Sequence, residues 1–189
     1  MSVNTQILQA LNETILNESS LSRVISHIRG RSFCLITSFR AKNEKGEVIS
    51  REDNLKTNKE LAKDLSNLKI GFFKVNGKFI QSDHKDSEPI WVSEDSYFVV
   101  GPNLKDKEAC DIFKNEMVKL CGKYNQQSII IGTPEGVFEF DKTGNKLTNY
   151  KTKPTIITDK DAEKFMTQLI GKGQRAFKFQ INNIESQNL

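Results

Sequence analysis

The chain has 189 residues, of which 37% are hydrophobic and 28% charged, a balance that excludes a disordered chain and suits a single domain with a real core. Its 28 basic and 24 acidic side chains leave a net charge of +4, too slight an excess to demand a nucleic-acid or membrane partner by itself. No apolar run approaches the roughly 18 residues of a membrane-spanning helix, and no charged-then-apolar leader opens the sequence, so a soluble, cytoplasmic protein with no membrane partner is expected.

Residues 1–31 read as a helical N-terminal segment. Ile7, Leu8, Leu11 and Ile15, then Leu21, Val24, Ile25 and Ile28, recur at helical spacing. Asn17 to Ser20 interrupts the two sets and Gly30 ends the second. Ser32 to Arg40 is β-branched and aromatic, suited to a buried strand, and leads into a polar loop of about a dozen residues from Ala41 to Asp53. Leu61, Leu65 and Leu68 mark one side of a helix over 54–68, with Asp53 or Asn54 as its cap.

Two short strands over 70–75 and 78–80 flank Asn76-Gly77, a pair suited to a type I′ hairpin turn. A polar loop follows to Pro89, and a strand lies within 91–101. Ala109, Ile112, Phe113, Met117, Leu120 and Cys121 form one stripe of a helix over 106–121, closed by Gly122. A buried strand over 127–132 precedes a hairpin of 137–140 with 146–150. Asp159 caps a predicted helix carrying Ala162, Phe165, Met166, Leu169 and Ile170, and 175–181 alternates as a last strand.

This order predicts an α+β, or mixed α/β, domain: one mostly mixed or antiparallel sheet with helices packed on it. Residues 32–150 form its central unit and 151–189 a helix–strand extension. The three cysteines are expected as buried, reduced thiols. Cys110 and Cys121 fall on one helix about 16 Å apart along its axis, too far for a disulfide.

The survey for chemistry is mainly negative. His27 falls in a helix, and His84 lies in a loop beside Asp83, Asp86 and Glu88, where a solvated loop is preferred to a metal site. No Ser-His-Asp or Cys-His signature occurs, and Gly132 and Gly136 open a hairpin rather than a phosphate-cradling helix. No cofactor or metal is expected. Two stretches are basic: Arg23, Arg29, Arg31, Arg40, Lys42 and Lys45 oppose only Glu44, and 151–178 holds seven basic against three acidic residues. Solvated faces are the preferred reading, with phosphate backbones or an acidic protein as the alternative.

The most unusual pattern is polar. Thr37-Ser38 ends a strand, Arg51, Asn54 and Asn58 start a helix, Trp91 with Glu94-Asp95-Ser96 precedes a strand, and Gln126 precedes another. Such groups converge on one rim of the sheet if they bind a ligand there, or serve as caps and backbone partners if they do not.

The same residues carry a resemblance. Ile36-Thr37-Ser38-Phe39, Ser50 with Glu52 and Asn54, Asn58 with Leu61 and Leu65, Trp91, Glu94-Asp95-Ser96-Tyr97-Phe98-Val99, and Tyr124-Asn125-Gln126 follow one another in the order of a known pattern. From Phe33 to Gly136 the chain resembles the bacterial family catalogued as domain of unknown function 3293, departing at Asp95, where that family favours Pro, and at Asn125, where it favours Gly. The resemblance implies no activity. It implies that Asn54, Glu94, Ser96 and Gln126 are the positions to test first.

The expected function is a non-enzymatic binding module that engages a protein or a small anionic, nucleotide-type ligand through Arg51, Asn54, Asn58, Glu94, Ser96 and Gln126. The Lys- and Asn-rich composition suggests an AT-rich genome, as of a phage, whose protein would act in the host cytoplasm. One alternative is a small enzyme in which Glu94 acts as acid or base while Arg51 holds an anionic substrate. Another is a structural component of a virion or other assembly. Nucleic acid is a weaker candidate partner, and the oligomeric state is left open.

Overall fold

The computed structural model describes residues 21–43, 45–81, 90–151, 155–157, 165–169 and 176–178. Helix α1 (Leu21–Gly30) runs directly into strand β1 (Arg31–Ile36), and helix α2 (Arg51–Asn67) follows the first long connection. Strands β2 (Gly71–Gln81) and β3 (Ile90–Asn103) precede helix α3 (Lys107–Lys123). Six further strands complete the described elements: β4 (Ser128–Thr133), β5 (Gly136–Asp141), β6 (Lys146–Tyr150), β7 (Thr155–Ile157), β8 (Phe165–Leu169) and β9 (Ala176–Lys178).

Among the described residues, these nine strands make one sheet in the order β6-β5-β4-β1-β3-β2-β8-β9-β7, and every pairing in it is antiparallel. The fold is α+β. The period-2 alternation of the central strands divides its core between two faces. Cys34 and Ile36 of β1, Tyr97 and Val99 of β3, and Ile129 and Ile131 of β4 pack with Leu61 and Leu65 of α2 and Met117 and Cys121 of α3. Phe33, Leu35, Phe98 and Ile130 point to the opposite face, where Val24 and Ile28 of α1 cover them. β1 lies between β3 and β4 and is buried on both faces, which is why it reads as an unbroken apolar run.

Four sequence expectations need correction. Asn76-Gly77 is no turn: β2 runs through it, with Asn76 opposite Asp95 and Gly77 opposite Glu94, and neither residue has the positive φ that a type I′ turn requires. The β2–β3 connection falls at 82–89, outside the described residues. Phe165–Leu169 is a strand, paired with β2 from Val75↔Leu169 to Phe79↔Phe165. Its five residues fit helical and alternating patterns equally, and pairing with β2 settles the choice.

The cap of α2 is Ser50, three residues before Asp53, whose backbone N–H it accepts at 3.0 Å; Asn54 lies inside the helix and is buried. The long loop spans 37–50 and is internally bonded. It carries a Lys42↔Val48 bridge, and the Asn43 side chain accepts the N–H groups of Lys45 and Glu47. The Ile7–Ile15 set, His84, the residues from Asp159 to Ala162 and the chain end lie outside the described residues.

Candidate functional site

Asn54 and Asn58 stand four residues apart on the inner side of α2, so both face the segment that leaves β1. Asn54 accepts the Arg40 N–H at 2.8 Å through Oδ1 and donates Nδ2 to the Arg40 carbonyl at 3.0 Å. Asn58 Oδ1 accepts the N–H and hydroxyl of Ser38, each at 3.2 Å, and its Nδ2 donates to the Asp95 carbonyl at 3.0 Å. Gln126 Nε2 donates to the Phe39 carbonyl at 3.2 Å, and the Thr37 hydroxyl donates to the Asp95 carbonyl at 2.8 Å. The Tyr97 hydroxyl donates to the Asn58 carbonyl at 3.2 Å.

The structure thus brings Asn54, Asn58 and Gln126 together, around the backbone of 38–40. A chain leaving a buried strand carries N–H and C=O groups that have lost their ladder partners, and three side-chain amides replace those partners. These residues form a clamp on the protein's own main chain.

Glu94 and Ser96 lie elsewhere. They project to the α1 side of the sheet, in line with Phe98 and opposite Gly77 and Val75 of β2. A Cβ on Gly77 would sit 3.0 Å from Glu94 Cγ and 3.1 Å from Ser96 Oγ, so glycine leaves the space that the Glu94 side chain fills. Burial pushes the Glu94 carboxyl up to about 7, opposed only by a 3.3 Å hydrogen bond from the Ser96 hydroxyl. Its neighbour Asp95 faces the other way and pairs with Lys74 at 2.7 Å.

Arg51 is the exposed first residue of α2, on the opposite side of the sheet from Glu94. The six expected site residues therefore fall into three places: the clamp, the Glu94–Ser96 pair, and exposed Arg51. Trp91 enters β3 with its backbone opposite Ile80.

The first basic stretch is divided by the strand inside it. Arg29 and Arg31 flank the start of β1, while Arg40, Lys42 and Lys45 lie beyond its end, roughly 17 Å away along a six-residue strand. The Arg29 end gains cations that are remote in sequence. Arg31 pairs with Asn103, and the Leu104 N–H donates to the Gly30 carbonyl at 3.2 Å, bringing the 103–107 turn and its Lys105 and Lys107 alongside. Gly71 pairs with Val100, which places Lys69 at the same end of the sheet. Lys69 holds a positive φ of 56° at the α2 terminus, donating its N–H to the Ser66 carbonyl.

Arg29, Arg31, Lys69, Lys105 and Lys107 are all exposed, and none of them joins a salt bridge among the described residues. Of the acids nearby, Asp106 and Glu135 are engaged and Glu108 is exposed. Asp106 caps α3, accepting the Ala109 N–H at 3.0 Å, Glu108 lies in the helix's first turn, and Glu135 of the β4–β5 turn pairs with Lys146.

Sequence reading missed this cluster because its members come from three separate turns. The detectable signal was the pair of Lys residues bracketing a helix cap at 105–107. Among the described residues no group of three or more His, Cys, Asp or Glu is placed to hold a metal ion, and no helix is long and apolar enough to cross a membrane. No protein-family model matches the chain, and no curated protein matches it.

Proposed function

We propose that the protein is a non-enzymatic binding module that docks an anionic partner on the end of its sheet marked by Arg29, Arg31, Lys69, Lys105 and Lys107. The observation that carries this reading is five exposed cations gathered from three turns, none of which joins an ion pair among the described residues. Unpaired like charges repel one another, so the cluster costs folding energy that a bound anion returns. The three free, buried cysteines support a reducing compartment for this role.

The amide clamp supports the reading from the other side. Asn54, Asn58 and Gln126 spend amide groups on main-chain partners, and a ligand that took those groups would have to displace a backbone segment.

Retention on immobilised heparin tests the reading. The wild type should bind at about 50 mM salt, where exposed charges are weakly screened, and Arg29→Ala with Lys105→Ala should elute at clearly lower salt. Lys56→Ala with Lys59→Ala, on the exposed side of α2, should shift elution less. Passage of the wild type straight through the column, or equal shifts for the two pairs, contradicts the proposal.

A second reading is favoured by the elevated Glu94 carboxyl, whose value near 7 suits acid–base work at neutral pH. In that reading Glu94 serves a substrate on the α1 side of the sheet, without Arg51. Turnover of any nucleotide or phosphoester by the wild type and its loss in Glu94→Gln would favour it.

A further inference from the structure

Two classes of macromolecule offer an anionic surface of the right scale, an acidic protein and a nucleic acid, and the composition of the cationic end separates them. Protein interfaces centre on exposed apolar or aromatic anchors ringed by polar groups. The exposed large hydrophobic side chains among the described residues are Val48, Leu68, Ile112 and Leu147; Leu68, next to Lys69, is 37% exposed, and Ile112 lies five residues along α3 from Lys107. No aromatic residue is among them. A surface of Arg and Lys with almost no apolar anchor matches a nucleic-acid backbone, where contacts are polar and most go to phosphates. Among the described residues no exposed aromatic offers the stacking platform on which single-stranded bases are held.

Resting on the anionic-partner reading, we propose that the partner is duplex nucleic acid, docked through its phosphates by Arg29, Arg31, Lys69, Lys105 and Lys107 without regard to base sequence. The side chains suit that use. Arg31 donates Nε to the Gly101 carbonyl at 2.8 Å, which aims the guanidinium and leaves its terminal N–H groups for a phosphate. Lys69 stands on a turn fixed by the Ser66 and Leu65 carbonyls, and Lys105 on a turn whose N–H is accepted by Asn103 Oδ1 at 2.9 Å. The cations are thus carried on ordered turns, which lowers the entropy lost when a partner fixes them.

The test is fluorescence anisotropy with a labelled DNA duplex of about 20 base pairs, repeated with the matching single strand and with polyglutamate of equal charge. Engagement of about four phosphates gives a slope of log affinity against log salt between about −3 and −4, so binding weakens about a hundredfold between about 50 and 200 mM salt. Arg29→Glu with Lys105→Glu should flatten that slope by about 2, and the milder pair Lys69→Gln with Lys107→Gln should do the same. Thermal melting confirms that each variant folds.

Polyglutamate binding as tightly as the duplex overturns the nucleic-acid inference and leaves the anionic-partner reading standing. Failure of both probes at about 50 mM salt removes both. Tighter binding of the single strand, or a preference above about tenfold among duplex sequences, overturns docking to the duplex backbone.

Discussion

At the scale of single residues, Glu94 is the side chain whose chemistry departs furthest from its surroundings. It lies among the side chains of a sheet face with one weak hydroxyl partner, and burial raises its carboxyl from the usual 4.5 to about 7. The folded protein therefore keeps this proton at pH values where the unfolded chain has released it. The stability contributed by the protonated group is full below about 4.5 and is lost as pH rises through about 7. Asp64, Asp141 and Glu135 are shifted the other way, downward, and lose their contribution only in acid, below the interval in which Glu94 titrates. Glu94→Gln should flatten the fall in melting temperature between pH 5 and 8 and gain about 1–3 kcal/mol at pH 8. An unchanged pH profile in that variant would show that the carboxyl is solvated and ordinary. Sequence position marked Glu94 as unusual, but its face of the sheet depended on the β2–β3 register, which the Asn76-Gly77 reading had displaced.

At the scale of elements, the connection from β1 to α2 decides where the polar residues go. β1 ends at Ile36, and the next four residues are held by Thr37, Asn54, Asn58 and Gln126. Removing Asn58 strands the Ser38 N–H inside the protein, while the Asp95 carbonyl keeps the Thr37 hydroxyl. Asn58→Ala should therefore cost about 2–3 kcal/mol in denaturant unfolding. It should leave retention on heparin unchanged, because the cationic end lies at the other end of β1. Stability within about 0.5 kcal/mol of wild type would show that the clamp contributes little. These residues were legible in the sequence as a polar set at element ends. Their partners were not, since a side-chain amide on a backbone group and one on a ligand leave the same trace in a sequence.

The helices and several strands were legible for a plain reason: α2 and α3 bury regular stripes, and β1 and β4, buried on both faces, read as continuous apolar runs. Phe165–Leu169 escaped because five residues are too few to separate the two periods, and β2 because Asn-Gly resembles a turn where glycine in fact makes room for Glu94.

At the scale of the molecule, the charge distribution changes meaning once the chain is folded. The basic stretch from 23 to 45 is continuous in sequence, yet β1 sends its halves to opposite ends of the sheet. One half then meets Lys69, Lys105 and Lys107, which no sequence window places beside Arg29. A net charge of +4 spread evenly would steer nothing, whereas five exposed cations on one end set a local field. That end is built from tight connections: α1 runs into β1 at Gly30, and the turn before α3 is closed by the Leu104 N–H on the Gly30 carbonyl and the Asp106 N–H on the Asn103 carbonyl.

The central claim is that this end of the sheet is the binding surface, and backbone amide shifts recorded by NMR during titration with a short DNA duplex test it most directly. The account predicts that the largest shifts fall on Arg29 to Arg31, Lys69, and Asn103 to Lys107, with the Thr37–Arg40 segment unmoved. Shifts centred on Thr37–Arg40, Arg51 or Glu94, with the cationic end silent, would contradict it.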